Sequence, residues 1–200
     1  MTDADVVVIG AGVMGAATAR SLSRRGRDVV LLERFRIGHT RGSSHGRSRI
    51  FRLSYDHPAY VRMAMESLPL WRDLERETGR EVLVITGGLD VGRTIDRNVA
   101  SLEECGVGFE LLTPGQAARR FPFLAFPDDR ILYQADAGIV LADIAVTAFA
   151  DAAREHGAVI LEETAALEMV SSGPDVEVRT EGDTFRSRVV VVTGRSEPAA

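Results

Sequence analysis

The sequence predicts an α/β fold in which a parallel sheet with crossover helices is interrupted by a separate α+β lobe. Val6–Ile9 and Val29–Leu32 are apolar runs rich in β-branched residues, and a glycine-initiated helical stretch between them ends at Gly26. Runs without polar alternation are typical of strands covered on both faces of a parallel sheet. Strand, turn, helix and strand within about thirty residues form a βαβ unit, whose crossover is right-handed in nearly all proteins.

The remaining elements follow from hydrophobic periodicity. Residues 36–58 are rich in Gly, Ser, His and Arg without a clean period, so we expect a long ordered loop, a kind of segment that usually carries function. Apolar residues at helical spacing predict helices over residues 60–78, 95–105, 116–120 and 143–156. Alternating or continuous apolar runs predict strands over residues 82–91, with an interruption at Gly87-Gly88, and over residues 159–161, 176–179 and 189–192.

Composition limits the class of protein. The 200 residues carry 24 Lys plus Arg against 29 Asp plus Glu, a net charge of -5 that argues against a nucleic-acid partner. The single cysteine, Cys105, excludes an intrachain disulfide framework and suits a reducing compartment, so we expect a cytoplasmic protein. The apolar stretch 6–19 is broken by glycines and too short to span a bilayer, so no membrane partner is expected. No set of His, Cys and carboxylate side chains has metal-binding spacing.

The run Gly10-Ala11-Gly12-Val13-Met14-Gly15 lies directly after the first strand and opens the helix. This is the context that the dinucleotide fingerprint requires. Gly10 allows the tight turn, Gly12 lets the backbone approach a pyrophosphate, and Gly15 lets the helix pack close to the strand. The helix N-terminus offers N–H groups and a partial positive charge to the phosphates. The run therefore predicts a Rossmann-like dinucleotide site, with a glycine-rich turn that binds nothing as the alternative.

Glu33 follows the second strand, where an acidic side chain accepts hydrogen bonds from ribose hydroxyls. A carboxylate at this position repels a 2′-phosphate, so NADP is disfavoured. The fingerprint and Glu33 do not by themselves separate FAD from NAD.

The basic segment 39–52 helps to decide between FAD and NAD. On composition alone it would be a solvated surface loop. The segment nevertheless resembles the monomeric sarcosine oxidase and N-methyltryptophan oxidase family. The resemblance is carried by His39, Gly42-Ser43-Ser44-His45-Gly46, Arg49 and Arg52. Members of this family are FAD-dependent amine oxidases of the D-amino acid oxidase superfamily. The resemblance extends over the whole chain and is most specific at this loop.

The resemblance implies an FAD-dependent oxidoreductase that oxidises the C–N bond of N-methyl amino acids or related secondary amines. A hydride equivalent would pass to the flavin and its electrons then to oxygen. The substrate would be a small amine or amino acid, and the intact family form would be a monomer. The implied fold is a Rossmann-like FAD-binding domain (GR2-type) over residues 1–58 and 136–200, interrupted over residues 59–135 by part of an α+β substrate lobe.

The resemblance also implies site residues. Arg52 would hold the substrate carboxylate through its planar guanidinium, with a structural ion pair as the alternative. His45 and Arg49 would lie close to the flavin ring, where positive charge favours the reduced anionic flavin. Ala166 would lie on a strand near the adenine. The implied catalytic residues are His45, Arg49 and Arg52, and the implied cofactor contacts are Gly10, Gly12, Val13, Met14, Gly15, Glu33, Arg34, Ser43, Ser44, Ser48, Arg49, Ala166, Thr193 and Gly194.

The sequence departs from the family at its end. After Thr193-Gly194 the chain reads Arg195-Ser196-Glu197-Pro198-Ala199-Ala200, whereas the family continues with a second half of comparable length. We therefore expect a truncated chain with a partly built cofactor site. Two alternatives follow: a non-catalytic fragment that binds the ADP part of a dinucleotide or nothing, and a small NAD-dependent dehydrogenase. The loop 39–52 argues against the second, because nicotinamide enzymes have no need of it.

Overall fold

The computed structural model describes residues 1–92, 94–126 and 130–194. These residues form two compact units. The first contains residues 1–47, 77–80 and the described residues from 142 onward, and the second contains residues 48–76 and the described residues of 81–141. The division into cofactor and substrate domains stays a prediction.

Helices and strands are numbered along the described chain. The helices are α1 (Val13–Ser23), α2 (Pro58–Thr78), α3 (Ile95–Glu104), α4 (Pro114–Arg120) and α5 (Ala142–Glu155). The strands are β1 (Thr2–Asp3), β2 (Val6–Ile9), β3 (Val29–Leu32), β4 (Arg49–Phe51), β5 (Leu83–Ile85), β6 (Gly88–Val91), β7 (Glu110–Leu112), β8 (Ile131–Gln134), β9 (Gly138–Val140), β10 (Val159–Leu161), β11 (Glu168–Ser172), β12 (Asp175–Arg179), β13 (Thr184–Ser187) and β14 (Val189–Val192).

A parallel sheet forms the base of the first unit, which confirms the predicted α/β class. Its strands pair in the order β10-β3-β2-β14, all parallel. Val7 and Val8 in β2 are fully buried, as the unbroken apolar run predicts. The parallel pairing of β14 is also confirmed, but its predicted burial is wrong. Val189 and Val192 are 49% and 55% exposed, because β14 is an edge strand in the described sheet.

Helices α1 and α5 pack together in the first unit through small residues. Ala16 and Ala19 of α1 and Ala152 and Ala153 of α5 are fully buried. Ala19 and Ala153 belong to one apolar cluster with Val8 and other residues of the sheet. Alanine side chains allow two helix backbones to approach closely, so the alanine-rich composition of both helices serves their contact.

An antiparallel meander, β11-β12-β13, completes the first unit, with β1 pairing in parallel to β13. The predicted strand at 176–179 and its return after Gly182-Asp183 are confirmed. Val178 and Phe185 turn inward and pack against Val7 of the parallel sheet. This contact gives the meander its buried face.

The second unit contains the antiparallel sheets β4-β9-β5 and β6-β8-β7. Two sequence expectations are corrected here. The strand expected over 82–91, with an interruption at Gly87-Gly88, is two strands, β5 and β6. They lie in different sheets, and Gly87 between them has φ +72°. The expected loop 36–58 is not wholly irregular, because it contains β4, where Ile50 pairs with Ile139. A strand of three residues is too short to show a period.

The predicted helices are confirmed to within a few residues at their ends. None of the helices in the described part of the chain is long and apolar enough to cross a membrane.

Candidate functional site

Candidate ligand-binding residues meet at the carboxyl edge of the parallel sheet. Gly10 follows β2, Glu33 follows β3, and Thr193-Gly194 follows β14, and these three strands are neighbours. Ligands of open α/β sheets bind at this edge, outside the carboxyl ends of the strands. The pairing of β14 beside β2 thus brings together residues that are far apart in the sequence.

The glycine turn is closely packed against the end of β14. Gly10 has φ +98°, and a Cβ on it would lie 2.8 Å from the backbone nitrogen of Gly194. A Cβ on Gly15 would overlap the Gly10 carbonyl oxygen and lie 2.7 Å from Thr193 Oγ1. Both positions therefore require glycine for the reasons that the fingerprint predicts.

Thr193 fixes this turn through its side chain. Its hydroxyl lies 3.0 Å from the carbonyl oxygen of Ile9 and 2.9 Å from that of Gly10, and its one proton is donated to this pair of acceptors. The backbone nitrogens of Thr193 and Gly194 donate to the Ile9 carbonyl. In the structure Thr193 and Gly194 are thus supports of the turn. Whether they also contact a cofactor stays a prediction.

The N-terminus of α1 is suited to an anion. Gly12 precedes it in an extended conformation, supplies no side-chain cap, and no acidic residue lies in the first turn. The backbone nitrogen of Val13 donates to Ser44 Oγ at 3.0 Å. A Cβ on Gly12 would lie 3.1 Å from the same oxygen, a tight contact that Ser44 would have to relieve by a small shift. Met14 is 68% exposed at this end of the helix.

Ser44 thus brings the basic loop to the fingerprint, a contact that the sequence pattern alone does not reveal. Helix N-termini favour hydroxyl and anionic oxygen acceptors, and here the acceptor comes from a distant part of the chain. The hydroxyl of Ser44 retains its own proton as a donor. It can therefore add a hydrogen bond to a phosphate bound at α1.

Glu33 is almost completely enclosed, with 7% of its side chain exposed. Its Oε2 accepts from the backbone nitrogen of Ala11 at 2.7 Å, and its Oε1 accepts from that of Phe35 at 3.0 Å. His39 Nε2 lies 3.3 Å from Oε1. The carboxylate therefore contacts the fingerprint turn itself, which the expectation of a ribose ligand did not include.

Aromatic and basic residues cluster beside Glu33. The guanidinium of Arg34 lies 5.3 Å from the centre of the Phe35 ring, and that of Arg41 lies 4.9 Å from it. The ring of His39 meets Phe35 edge-on, with 4.9 Å between centroids. Arg34 is exposed, so a ligand can reach it.

The predicted loop residues Ser43 and His45 are also exposed. His45 Nδ1 lies 2.5 Å from the carbonyl oxygen of Gly42, a contact that closes a turn within the loop. Their proposed contacts with a cofactor stay predictions.

Ala166 does not lie on a strand. It lies in the connection between β10 and β11, where it is half-buried against the cluster of Val178 and Phe185. After β10 the chain turns at Glu163, whose φ is +55°, and the next strand begins only at Glu168. A groove of about 500 Å³ adjoins the segment, with Thr164 and Leu167 in its lining.

The remaining predicted residues, Ser48, Arg49 and Arg52, belong to the second unit. Arg49 is exposed, and its Nη1 donates to the Ser48 carbonyl at 2.7 Å. Arg52 Nη1 donates to Asp90 Oδ1 at 3.1 Å, and its guanidinium lies 4.9 Å from the centre of the Tyr55 ring. The ion pair that the sequence left as an alternative for Arg52 is therefore present, while 42% of the Arg52 side chain stays exposed.

A buried polar network fixes the backbone after Arg52. Gln134 Oε1 accepts from the backbone nitrogen of Leu53 at 2.8 Å, and Asn98 Nδ2 donates to Ser54 Oγ at 2.9 Å. Gln134 is 1% exposed, and among the described residues its Nε2 has no hydrogen-bond partner. Asp90 and Gln134 could not be found from the sequence, because their positions beside Arg52 depend on the pairing of β6 with β8.

The described arrangement fits the ADP part of a dinucleotide. The glycine turn and the N-terminal end of α1 offer backbone N–H groups to the diphosphate, and Glu33, directly after the neighbouring strand β3, can accept a hydrogen bond from the ribose. Where residues are described, no three or more His, Cys, Asp or Glu side chains are placed to hold a metal ion.

Comparison with protein families gives a match over residues 5–196 to the family described as FAD dependent oxidoreductase, DAO. A monomeric sarcosine oxidase of Streptomyces avermitilis is 39% identical, covering 94% of this chain and 50% of that protein. A human peroxisomal sarcosine oxidase is 32% identical over the same shares. Among solved structures, NikD, described as an unusual amino acid oxidase essential for nikkomycin biosynthesis, has a TM-score of 0.84 and 31% identity. The structural match covers 97% of this chain and 52% of the NikD chain.

These matches confirm the resemblance drawn from the loop 39–52 and the expected FAD-dependent class. The chain spans about half the length of the curated relatives it matches.

Proposed function

The chain belongs to the DAO family of FAD-dependent oxidoreductases, and on that premise we propose that the protein oxidises the C–N bond of an N-methyl amino acid or a related secondary amine. The names of its sarcosine oxidase relatives support this substrate class. The proposed acceptor of the electrons from the reduced cofactor is oxygen. A monomeric, cytoplasmic protein remains part of this proposal.

The observation that carries the proposal is the meeting of Gly10, Glu33 and Ser44 around the start of α1. Ala11 and Val13, on either side of Gly12, donate their backbone N–H groups to Glu33 and Ser44. The fingerprint, the acidic strand end and residues 39–47 of the loop that carries the family resemblance thus lie within one unit.

Bound FAD would supply the redox chemistry by accepting a hydride equivalent from the carbon next to the substrate nitrogen. The chain's own residues would bind the cofactor and the substrate and orient them. The N-terminus of α1 and the hydroxyl of Ser44 would hold the diphosphate, and Glu33 would accept a hydrogen bond from a ribose hydroxyl. Ser43 and Ser48 would donate further hydrogen bonds to the cofactor, while His45 and Arg49 would lie near the flavin ring, where the Arg49 guanidinium favours the reduced state.

Arg52 is proposed to hold the substrate carboxylate. Its guanidinium has five N–H donors, of which the structure assigns one to Asp90, and it lies against the ring of Tyr55. A carboxylate can therefore bind to the remaining donors, while Asp90 and Tyr55 keep the guanidinium oriented. An ion pair with Asp90 and a role in substrate binding are compatible.

The experiment is anaerobic reduction of the bound flavin. The chain is loaded with FAD, freed of excess cofactor, and its visible spectrum is recorded before and after addition of sarcosine or N-methyltryptophan. We expect retained flavin whose absorbance bleaches. Arg52→Ala is expected to slow bleaching about tenfold or more without loss of flavin, because a charged hydrogen bond contributes about 1.5–3 kcal/mol. Arg97→Ala, which removes an exposed pair with Asp56, is the control.

Three outcomes contradict parts of the proposal. A chain that retains no flavin is not a flavoenzyme in this form. A chain whose retained flavin neither substrate bleaches is the non-catalytic binding fragment. Equal bleaching rates for Arg52→Ala and the native chain remove the carboxylate assignment.

A further inference from the structure

Glu33 makes a direct hydrogen bond to the proposed phosphate-binding turn. Its Oε2 accepts from the backbone nitrogen of Ala11 at 2.7 Å, and Ala11 lies between Gly10 and Gly12 of the fingerprint. Glu33 follows β3, whereas the turn follows β2. A single hydrogen bond thus joins the acidic end of one strand to the turn at the end of its neighbour.

The other oxygen of this carboxylate is held by residues that follow β3 in the chain. Oε1 accepts from the Phe35 backbone nitrogen at 3.0 Å and lies 3.3 Å from His39 Nε2. His39 Nδ1 accepts from the backbone nitrogen of Arg41 at 3.0 Å, so a neutral ring carries its proton on Nε2. The ring therefore presents an N–H to Glu33, and the edge contact with Phe35 fixes the ring plane.

From these contacts we propose that Glu33 is a positioning residue for the diphosphate-binding turn, held in place by His39, in addition to its role toward the ribose. The inference rests on the proposed dinucleotide site. Since the carboxylate is 7% exposed and anchored on both oxygens, it restrains the Ala11 peptide. That peptide lies next to the N–H groups that would meet the diphosphate. Recognition of ribose and of diphosphate would then depend on the same side chain.

Electrostatics gives the opposite expectation, which makes the proposal testable. A carboxylate near a bound diphosphate repels it, so removing Glu33 should strengthen the binding of a ligand that has no ribose hydroxyls. If Glu33 positions the turn, its removal weakens the binding of the same ligand, because the N–H groups lose their fixed directions.

The test uses ADP and 2′,3′-dideoxy-ADP, which lacks both ribose hydroxyls, with affinities measured by calorimetry on the full chain. For Glu33→Ala we expect ADP to bind about 30-fold or more weakly and the dideoxy ligand about fivefold to tenfold more weakly. For His39→Ala we expect both ligands to bind about threefold more weakly, since His39 acts through Glu33. Glu168→Ala, which removes an exposed carboxylate paired with Arg179, is the matched control with no change.

The outcomes separate the two proposals. A native chain that binds neither ligand overturns the dinucleotide site and this inference together. A native chain that binds both, with a Glu33→Ala variant that loses affinity for ADP alone, overturns only the inference. Should Glu33→Ala fail to fold, His39→Ala decides. Unchanged affinity for the dideoxy ligand in that variant overturns the inference, and a threefold loss supports it.

Discussion

Gly15 shows how strictly a single residue sets the candidate site. It lies in the first turn of α1, where alanine would ordinarily be the better helix former. Its α-carbon nevertheless faces the Gly10 carbonyl and the Thr193 hydroxyl, and the latter would lie 2.7 Å from an added Cβ. The packing of the helix against the turn therefore depends on the missing side chain, as the fingerprint predicts.

Gly15→Ala is expected to destabilise the chain by about 2–3 kcal/mol or more, because the methyl group forces the helix away from the turn. It should also weaken FAD binding, since the N–H groups of α1 move with the helix. Urea unfolding and FAD titration measure the two effects. The control is Gly108→Ala, where an added Cβ meets no atom within 4 Å. Equal stability of the two variants would contradict the close packing at Gly15.

At the scale of elements, a buried ion network joins α1, the end of α2 and α5 within the first unit. Arg20 of α1, with 7% of its side chain exposed, donates from Nε to Glu77 Oε2 at 2.9 Å. Glu77 Oε1 lies 2.8 Å from His156 Nε2, directly after α5. Burial of the Glu77 carboxyl raises its pKa, but the hydrogen bonds from Arg20 and His156 outweigh burial, so the pKa lies below its ordinary value.

A lowered carboxyl pKa gives stability a definite pH dependence. The folded state holds Glu77 ionised more strongly than the unfolded chain does. The stabilisation is therefore fully present above the unfolded pKa of about 4.3 and is lost as pH falls through the lower folded value.

Glu77→Gln should destabilise the chain at pH 7 by about 2 kcal/mol, a value between those of exposed and fully buried pairs. The difference from the native chain should shrink below about pH 4. Urea unfolding across this pH range measures it. Glu168→Gln, which alters an exposed pair with Arg179, should change stability by about 0.5 kcal/mol or less. A Glu77→Gln effect that does not vary with pH would contradict the account.

Elements also show what a sequence can and cannot predict. The runs at Val6 and Val29 predicted their strands to the residue, because burial on both faces leaves a continuous apolar signal. The strand β4 was missed because its three residues have no measurable period, and Ile50 is 80% exposed. The partners of Glu33 and Arg52 could not be predicted, since hydrogen bonds such as Ala11 to Glu33 depend on strand register.

At the scale of the whole molecule, the described chain combines a first unit that carries the glycine fingerprint with a second unit that carries Arg52. The family match covers residues 5–196, while the curated relatives are about twice as long as the part that matches. The first unit nevertheless contains the fingerprint, Glu33, Ser44 and Thr193 together. We therefore propose that the ADP part of FAD binds to the first unit of this chain.

The most direct test is the affinity of the purified chain for FAD compared with NAD, measured by flavin fluorescence quenching for FAD and by calorimetry for NAD. Both ligands contain ADP, so the glycine turn alone would bind them equally. The loop 39–47, with its hydroxyl and basic side chains, should favour FAD. We predict FAD binding at least about tenfold tighter than NAD, a difference of about 1.4 kcal/mol. Binding of NAD in preference to FAD, or of neither, would contradict the central claim.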